Sequence, residues 1–286
     1  MSAEPKHTYE YDFDPQSDHA GAQVARIIGP GQRVLEVGAG PGSITRLLVK
    51  GLQCQVSAIE IDPSAIEKLR QWCGDIRPLN LNSAGWQHAY PADQRFDAVL
   101  AADVLEHLQD PLQTLKGMAE LLRPGGRVVI SLPHLGFHGV VASLLHGDFD
   151  YRDWGVLDRT HVRFFGIDGL QRLFDDAGLA VVEAGFVVRR PERTEFAASW
   201  AALPAPMREQ LGAVPLGFVY QFIVSAQRVG EASSPPVSLR SQLFKVGVAL
   251  QQQPSVGVRD HVAAWARRHL SSSQKAWVKR LLPGRK

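Results

Sequence analysis

Residues 33–42 read Arg-Val-Leu-Glu-Val-Gly-Ala-Gly-Pro-Gly. The apolar run Val34-Leu35-Glu36-Val37 has the composition of a buried β-strand and empties directly into three glycines, Gly38, Gly40 and Gly42. A helix-like segment begins near Ser43. Glycines at a strand-to-helix turn let the backbone bend sharply and approach a ligand with no Cβ between them. The turn therefore predicts a nucleoside-type ligand, the alternative being a plain tight turn. A dinucleotide fingerprint would place its third glycine at 43, where Ser43 stands, and the Gly-Lys-Ser/Thr ending of a phosphate loop is absent. Glu36, on the strand just before the turn, would repel a pyrophosphate and suits a cationic ligand.

The next segments extend the argument. Val56–Glu60 reads as a second strand ending in a carboxylate, which can accept from both hydroxyls of a ribose. The competing reading is that Glu60 only caps or solvates a turn. Asp62-Pro63 supplies an N-cap and a proline at the first helical position, opening a helix over Ser64–Trp72. S-adenosylmethionine (SAM), with a sulfonium, an ammonium and no phosphate, is the nucleoside compound that fits these groups.

Four motifs in order now carry a resemblance: Arg33–Thr45, Glu60, the block from Phe96-Asp97-Ala98-Val99-Leu100 to Asp103-Val104-Leu105-Glu106-His107, and Leu122-Arg123-Pro124-Gly125-Gly126-Arg127-Val128-Val129-Ile130. Together they resemble class I SAM-dependent methyltransferases. The resemblance implies a Rossmann-like seven-stranded sheet with helices on both faces. It places SAM against Glu36, Gly38, Ala39, Gly40, Gly42, Glu60, Ile61, Asn80, Leu81 and Asp103. The adenine reader after the third strand is Asn80, where many relatives have Asp, with Asn82 as the competing position. A further block, Leu157–Phe165 followed by Leu170–Leu179, resembles a subgroup associated with polysaccharide and O-antigen biosynthesis.

Composition agrees with one sizeable domain and an appendage: 286 residues, 45% hydrophobic and 21% charged. Cys54 and Cys73, the two cysteines, have no metal-ligand spacing and offer no framework of bridges. The N-terminus lacks the basic-then-apolar layout of a signal peptide, and no apolar run approaches the ~20 residues of a membrane span. These features predict a cytoplasmic location. Charge is uneven: ten Lys and Arg against two acids follow residue 230, although the whole chain is only +2. Residues 231–238, with Ser233-Ser234-Pro235-Pro236, read as a linker between a methyltransferase domain over 1–230 and a basic helical extension over 239–286. Its interleaved Leu and Trp (Leu239, Leu243, Trp265, Trp277) suit packing on the domain or on a second copy, a partner protein, or the inner membrane surface. No nucleic-acid recognition motif is present.

Strands are expected at Val34–Val37, Val56–Glu60, Ile76–Leu79, Ala98–Ala102, Val128–Leu132, Ala180–Val188 and Phe218–Ala226, with helices near 19–28, 43–50, 64–72 and 111–122. Strand–helix alternation predicts a parallel, doubly wound α/β sheet, and the last two strands fit a closing antiparallel hairpin. Ligands then sit beyond the strands' carboxyl ends. Residues 134–170 are too long for an ordinary connection and read as an acceptor lid.

Methyl transfer to a hydroxyl requires loss of its proton, and His is the side chain poised for that near neutral pH. His161 is the first candidate base, its alternative being a lid-fixing hydrogen bond; His107 is the second. Arg159 and Arg163 suit an anionic acceptor, or else pair with Asp153 or Asp158. His134 and Tyr151 complete the acceptor-binding set, and the scattered His and Asp show no metal-ligand spacing, so no metal is expected. Tyr9, Tyr11, Phe13 and Ser17 precede the first helix and either fold over SAM or form a loose leader. The resulting expectation is O-methylation of a saccharide, glycolipid or related hydroxyl. Phenol or amine acceptors, and a non-catalytic SAM-binding scaffold, are the alternatives.

Overall fold

The computed structural model describes residues 11–252. Tyr9 and the expected extension beyond Gln252 lie outside them. One seven-stranded sheet organises the chain: β1 (Arg33–Val37), β2 (Gln55–Ile59), β3 (Asp75–Arg77), β4 (Phe96–Ala102), β5 (Leu122–Pro133), β6 (Leu179–Val188) and β7 (Val219–Arg228). Their order is β3-β2-β1-β4-β5-β7-β6. The first five run parallel, and β7 inserts antiparallel between β5 and β6. Every strand expected from the sequence is present. β5 starts earlier than expected because Leu122 already pairs with Phe96 across a register shift.

Local chemistry sets the helices. In α1 (Ala20–Ile28), Val24, Ala25 and Ile28 recur at helical spacing and bury against Val34, Leu100 and Val129 on one sheet face. α2 (Ser43–Arg46) follows left-handed Gly42 and widens into a π turn over Leu47–Gly51. Asp62 caps α3 (Pro63–Leu69) by accepting from Ser64 N–H, and Asp110 caps α4 (Pro111–Glu120) through Gln113 N–H. The opposite face carries α4 and α6 (Ile167–Asp176), whose Leu115, Met118, Leu170 and Phe174 are fully buried. Between β5 and α6 lies α5 (His138–Leu145); between β6 and β7 lie α7 (Ala197–Ala202) and α8 (Ala205–Gly212).

The end of the expected linker and the start of the expected extension return to the sheet and to α6. Val237 N–H donates to Val181 O, Leu239 N–H to Gln171 Oε1, and Lys245 Nζ to Ala184 O. Arg240 grips Asp168 with two bonds of 2.6 Å. Leu239 and Val246, the latter on α9 (Phe244–Gln252), are buried in the main core. Leu239→Ala is therefore expected to destabilise the protein by about 2–5 kcal/mol, read as a lower urea midpoint at unchanged m-value. No helix among the described residues is long and apolar enough to cross a membrane.

Candidate active site beyond the parallel strand ends

The parallel strands end together, so Gly38 after β1, Glu60 after β2 and Asp103 after β4 meet at one edge of the sheet. Beyond that edge lies a cavity of about 980 Å³. Its walls include Glu36, Gly38, Ala39, Gly40, Glu60, Ile61, Leu81, Asp103 and His107, with Asp153, Asp158, Arg159 and Thr160 from the lid. Gly42 stands back from it, under Leu69 and Trp72, where a Cβ would come within 2.9 Å of both side chains.

The glycine turn is built for close approach. Gly38 has φ +67° and packs so tightly on Val104 that an added Cβ would lie 2.7 Å from Cγ2. Gly40, at φ +54°, faces open space. Its N–H donates to Glu60 Oε2 (2.7 Å), while Glu60 Oε1 accepts from Ile61 N–H (2.7 Å) and Asp62 N–H (2.8 Å). One carboxylate thus holds the first two ligand-facing turns together. Of its roughly four lone-pair sites, three are used.

Glu36 is buried and accepts from the Thr45 hydroxyl at 2.6 Å. Burial pushes its carboxyl up to about 7, opposed by the Thr45 bond and reinforced by the charge of Glu60. A raised native pKa means the folded state holds its proton more tightly, so stability falls as pH rises from the unfolded value near 4.5 towards 7. Glu36→Gln is expected to remove that decline, worth on the order of 3 kcal/mol, in ligand-free melts between pH 5 and pH 8. The variant should be the more stable protein at pH 8 and the weaker binder of a cation.

Asp103 is held in the left-handed region at φ 55°, uncommon for a non-glycine residue. Its Oδ1 accepts from Ser131 Oγ (3.0 Å) and Gln221 Nε2 (2.9 Å), and burial raises its pKa. Tyr11 joins the walls from the N-terminal segment, anchored by its N–H to Ser43 Oγ at 3.1 Å. Asn80 does not line the cavity; its side-chain oxygen accepts from Asn82 N–H, and Asn82 Oδ1 accepts from Gln109 N–H. Leu81 is the wall residue there.

The two histidines part company. His107 lines the cavity, with its pKa lowered chiefly by burial. His161 lies behind it, ring centroids 4.7 Å apart, and does not reach the cavity. His161 Nδ1 faces Val156 O at 3.1 Å, Nε2 is 3.9 Å from Glu106 Oε1, and burial lowers its pKa to about 4. Glu106 has no exposed surface and neither carboxylate oxygen has a hydrogen-bond partner; burial holds its pKa well above the usual range. Its carbonyl oxygen accepts from Val162 N–H and Arg163 N–H, clamping the lid onto the turn after β4. The sequence showed no metal-ligand spacing, yet the fold gathers Glu106, His107 and His161 with donor atoms within 4.8 Å of one another. Ligands at about 2.1 Å around a tetrahedral ion need edges of about 3.4 Å, so an ion would have to draw the three closer.

Other acceptor candidates are dispersed. Arg159 lines the cavity and pairs with Asp153 at 2.5 Å. Arg163 gives its guanidinium to Gln109 O (2.6 and 3.1 Å), outside the cavity. His134 is buried between sheet and lid, with Nδ1 3.1 Å from Val219 O and its pKa lowered to about 4. Tyr151 is half exposed outside the cavity, as is Trp154. Sequence reading missed Thr45, Glu106 and Thr160. The last sits in the Leu157–Phe165 block, and only the fold shows which of its residues face inward.

Three carboxylates around a glycine floor suit a sulfonium and an ammonium, and the cavity has room for a nucleoside and an acceptor. Similarity to known proteins agrees. A family profile described as "Methyltransferase domain" matches residues 13–184. The ubiquinone biosynthesis O-methyltransferase of Coxiella burnetii is 24% identical over 176 residues, covering 58% of this chain and 71% of that protein. Its namesake from Xanthomonas campestris pv. campestris is 33% identical over 142 residues, covering 46% and 59%. Neither name carries the polysaccharide association expected from the lid block. Among solved structures, a SAM-dependent methyltransferase from Archaeoglobus fulgidus superposes with TM-score 0.52 at 15% identity, covering 73% of this chain and 92% of that one. The [4+2]-cyclase SpnF gives 0.50 at 19%, covering 76% and 86%, so the fold alone does not name the reaction. The match of the domain profile to more than half of the chain decides the family: the chain belongs to the class I methyltransferases and is a SAM-dependent methyltransferase.

Proposed function

We propose that the protein methylates a phenolic hydroxyl on a small molecule, with His107 as general base. The observation that carries this reading is a cavity-lining imidazole beside the donor turn. SAM, when bound, supplies an activated methyl group; the chain's residues position, exclude water and move a proton. Glu60 keeps about one lone-pair site for a ribose hydroxyl, and Glu36 and Asp103 offset positive charge. Burial lowers the pKa of His107, making it a weak base. A weak base suits an acidic hydroxyl: a phenol, with pKa about 10, is far better matched than a sugar alcohol. The O-methyltransferase names of the relatives support the same choice.

The saccharide reading has its own observation. Tyr151 and Trp154, half exposed, stand two residues before and one after Asp153, a cavity residue, and aromatic side chains are the surfaces on which a pyranose stacks. Turnover with methyl-tritiated SAM against catechols, simple phenols and saccharides separates the two. The phenolic reading expects kcat/KM at least tenfold higher for phenols. A saccharide preferred by that margin overturns it.

A further inference from the structure

Thr160 joins His107 to a buried carboxylate. The Thr160 hydroxyl donates to Asp158 Oδ1 at 2.7 Å, and Thr160 N–H donates to the same oxygen at 2.8 Å. With its proton spent there, Thr160 Oγ can only accept from His107 Nδ1, 3.0 Å away. The Thr160 carbonyl oxygen lies 3.3 Å from the same nitrogen and is also an acceptor. Two acceptors on one side of the ring place the proton on Nδ1, an assignment made from the network. Nε2 is left with its lone pair, on a ring that lines the cavity. Asp158 is 4% exposed, so its charge acts through a medium of lower effective dielectric than water.

We infer that Asp158, Thr160 and His107 form a hydroxyl-bridged relay in which Asp158 and Thr160 are positioning residues for the base. This rests on His107 acting as the base. Thr160 fixes the tautomer and ring orientation that present Nε2 to the acceptor hydroxyl. As the acceptor oxygen bonds the methyl carbon, the carbon–sulfur bond breaks with its electron pair on sulfur, and the hydroxyl proton passes to Nε2. The imidazolium that results is stabilised by Nδ1–H donation to Thr160 and by the charge of Asp158; Asp158 itself takes no proton. The other titratable and charged groups facing His107 are Asp103 and Glu106 on its own turn and His161 from the lid, with Asp153 and Arg159 elsewhere on the cavity wall.

The test needs a readout that a merely structural role would not move. Long-range proton–nitrogen spectra of histidine-labelled full-length protein at pH 8, assigned with His107→Gln, report the tautomer without turnover. Wild type should show the Nδ1–H form of His107. Thr160→Val, nearly isosteric but lacking the hydroxyl, should lose it, and Thr160→Ser should restore it. In parallel, Thr160→Val should lower kcat roughly 10–100-fold, part of the 10²–10⁴ a general base supplies, with KM and SAM affinity unchanged. Asp158→Asn removes a negative charge that favours the imidazolium, so the acid limb of kcat/KM should move to lower pH while the plateau drops. An Nε2–H tautomer in wild type overturns the relay. So does Thr160→Val with unchanged kcat while His107→Gln is inactive, a result that leaves the base standing. An active His107→Gln removes both.

Discussion

His107→Gln is expected to lower kcat by about 10²–10⁴-fold, or about 3–5 kcal/mol of barrier. Gln fills most of the imidazole volume and can donate to Thr160, but it cannot hold the acceptor's proton near neutral pH. SAM affinity should change little, because the glycine turn and Glu60 are untouched. The pH profile sharpens the expectation. Burial sets the His107 pKa below its ordinary value of 6.5. In wild type, kcat/KM should therefore rise through a limb below pH 6.5 and level above it, and the variant should lack that limb. An amine acceptor, which transfers its proton to water without help, would leave the variant near wild-type kcat; that result contradicts the base assignment.

Glu60→Ala should cost the most in donor binding, raising the SAM dissociation constant about 100-fold. Three backbone N–H groups lose their acceptor at once: Gly40, Ile61 and Asp62. A hydrogen bond to a charged group contributes about 1.5–3 kcal/mol, but water reaches this turn once the side chain is gone, so only part of the sum is lost. Glu60→Gln keeps one acceptor oxygen and should fall between wild type and Ala. Calorimetric titration with SAM reads the series. Equal affinity across it would mean that Glu60 neither shapes the turn nor meets the ligand.

The fold was legible because its signals are local and repeat. Val34–Val37 running into Gly38, Asp62-Pro63 and Asp110-Pro111 each commit a strand end or helix start within a few residues. The donor turn was legible for the same reason. The acceptor side was not, because burial there depends on how the lid folds back. His161 and Thr160 are adjacent in sequence, yet Thr160 faces the cavity and His161 faces Glu106. Nothing in Arg-Thr-His-Val states which side chain turns inward; the carbonyl of Glu106 decides it by accepting from Val162 and Arg163 N–H. His134 was similarly deceptive. It follows β5 at the ligand end, but Val219 O draws its ring to the sheet. Asn80 turns its side-chain oxygen to the backbone N–H of Asn82, a local competition short polar side chains often win. The Ser-Pro composition after Gly230 reads as a linker over 231–238, and beyond it Leu239, an apolar position of the expected extension, sits with Val246 in the core.

The most direct measurement is the atom that receives the methyl group. Protein incubated with carbon-13 methyl SAM and the best acceptor of the panel should yield one labelled product per S-adenosylhomocysteine formed. The account predicts a label bonded to phenolic oxygen, with formation suppressed in His107→Gln. A label on nitrogen or carbon, or turnover of SAM undiminished by that substitution, would contradict it.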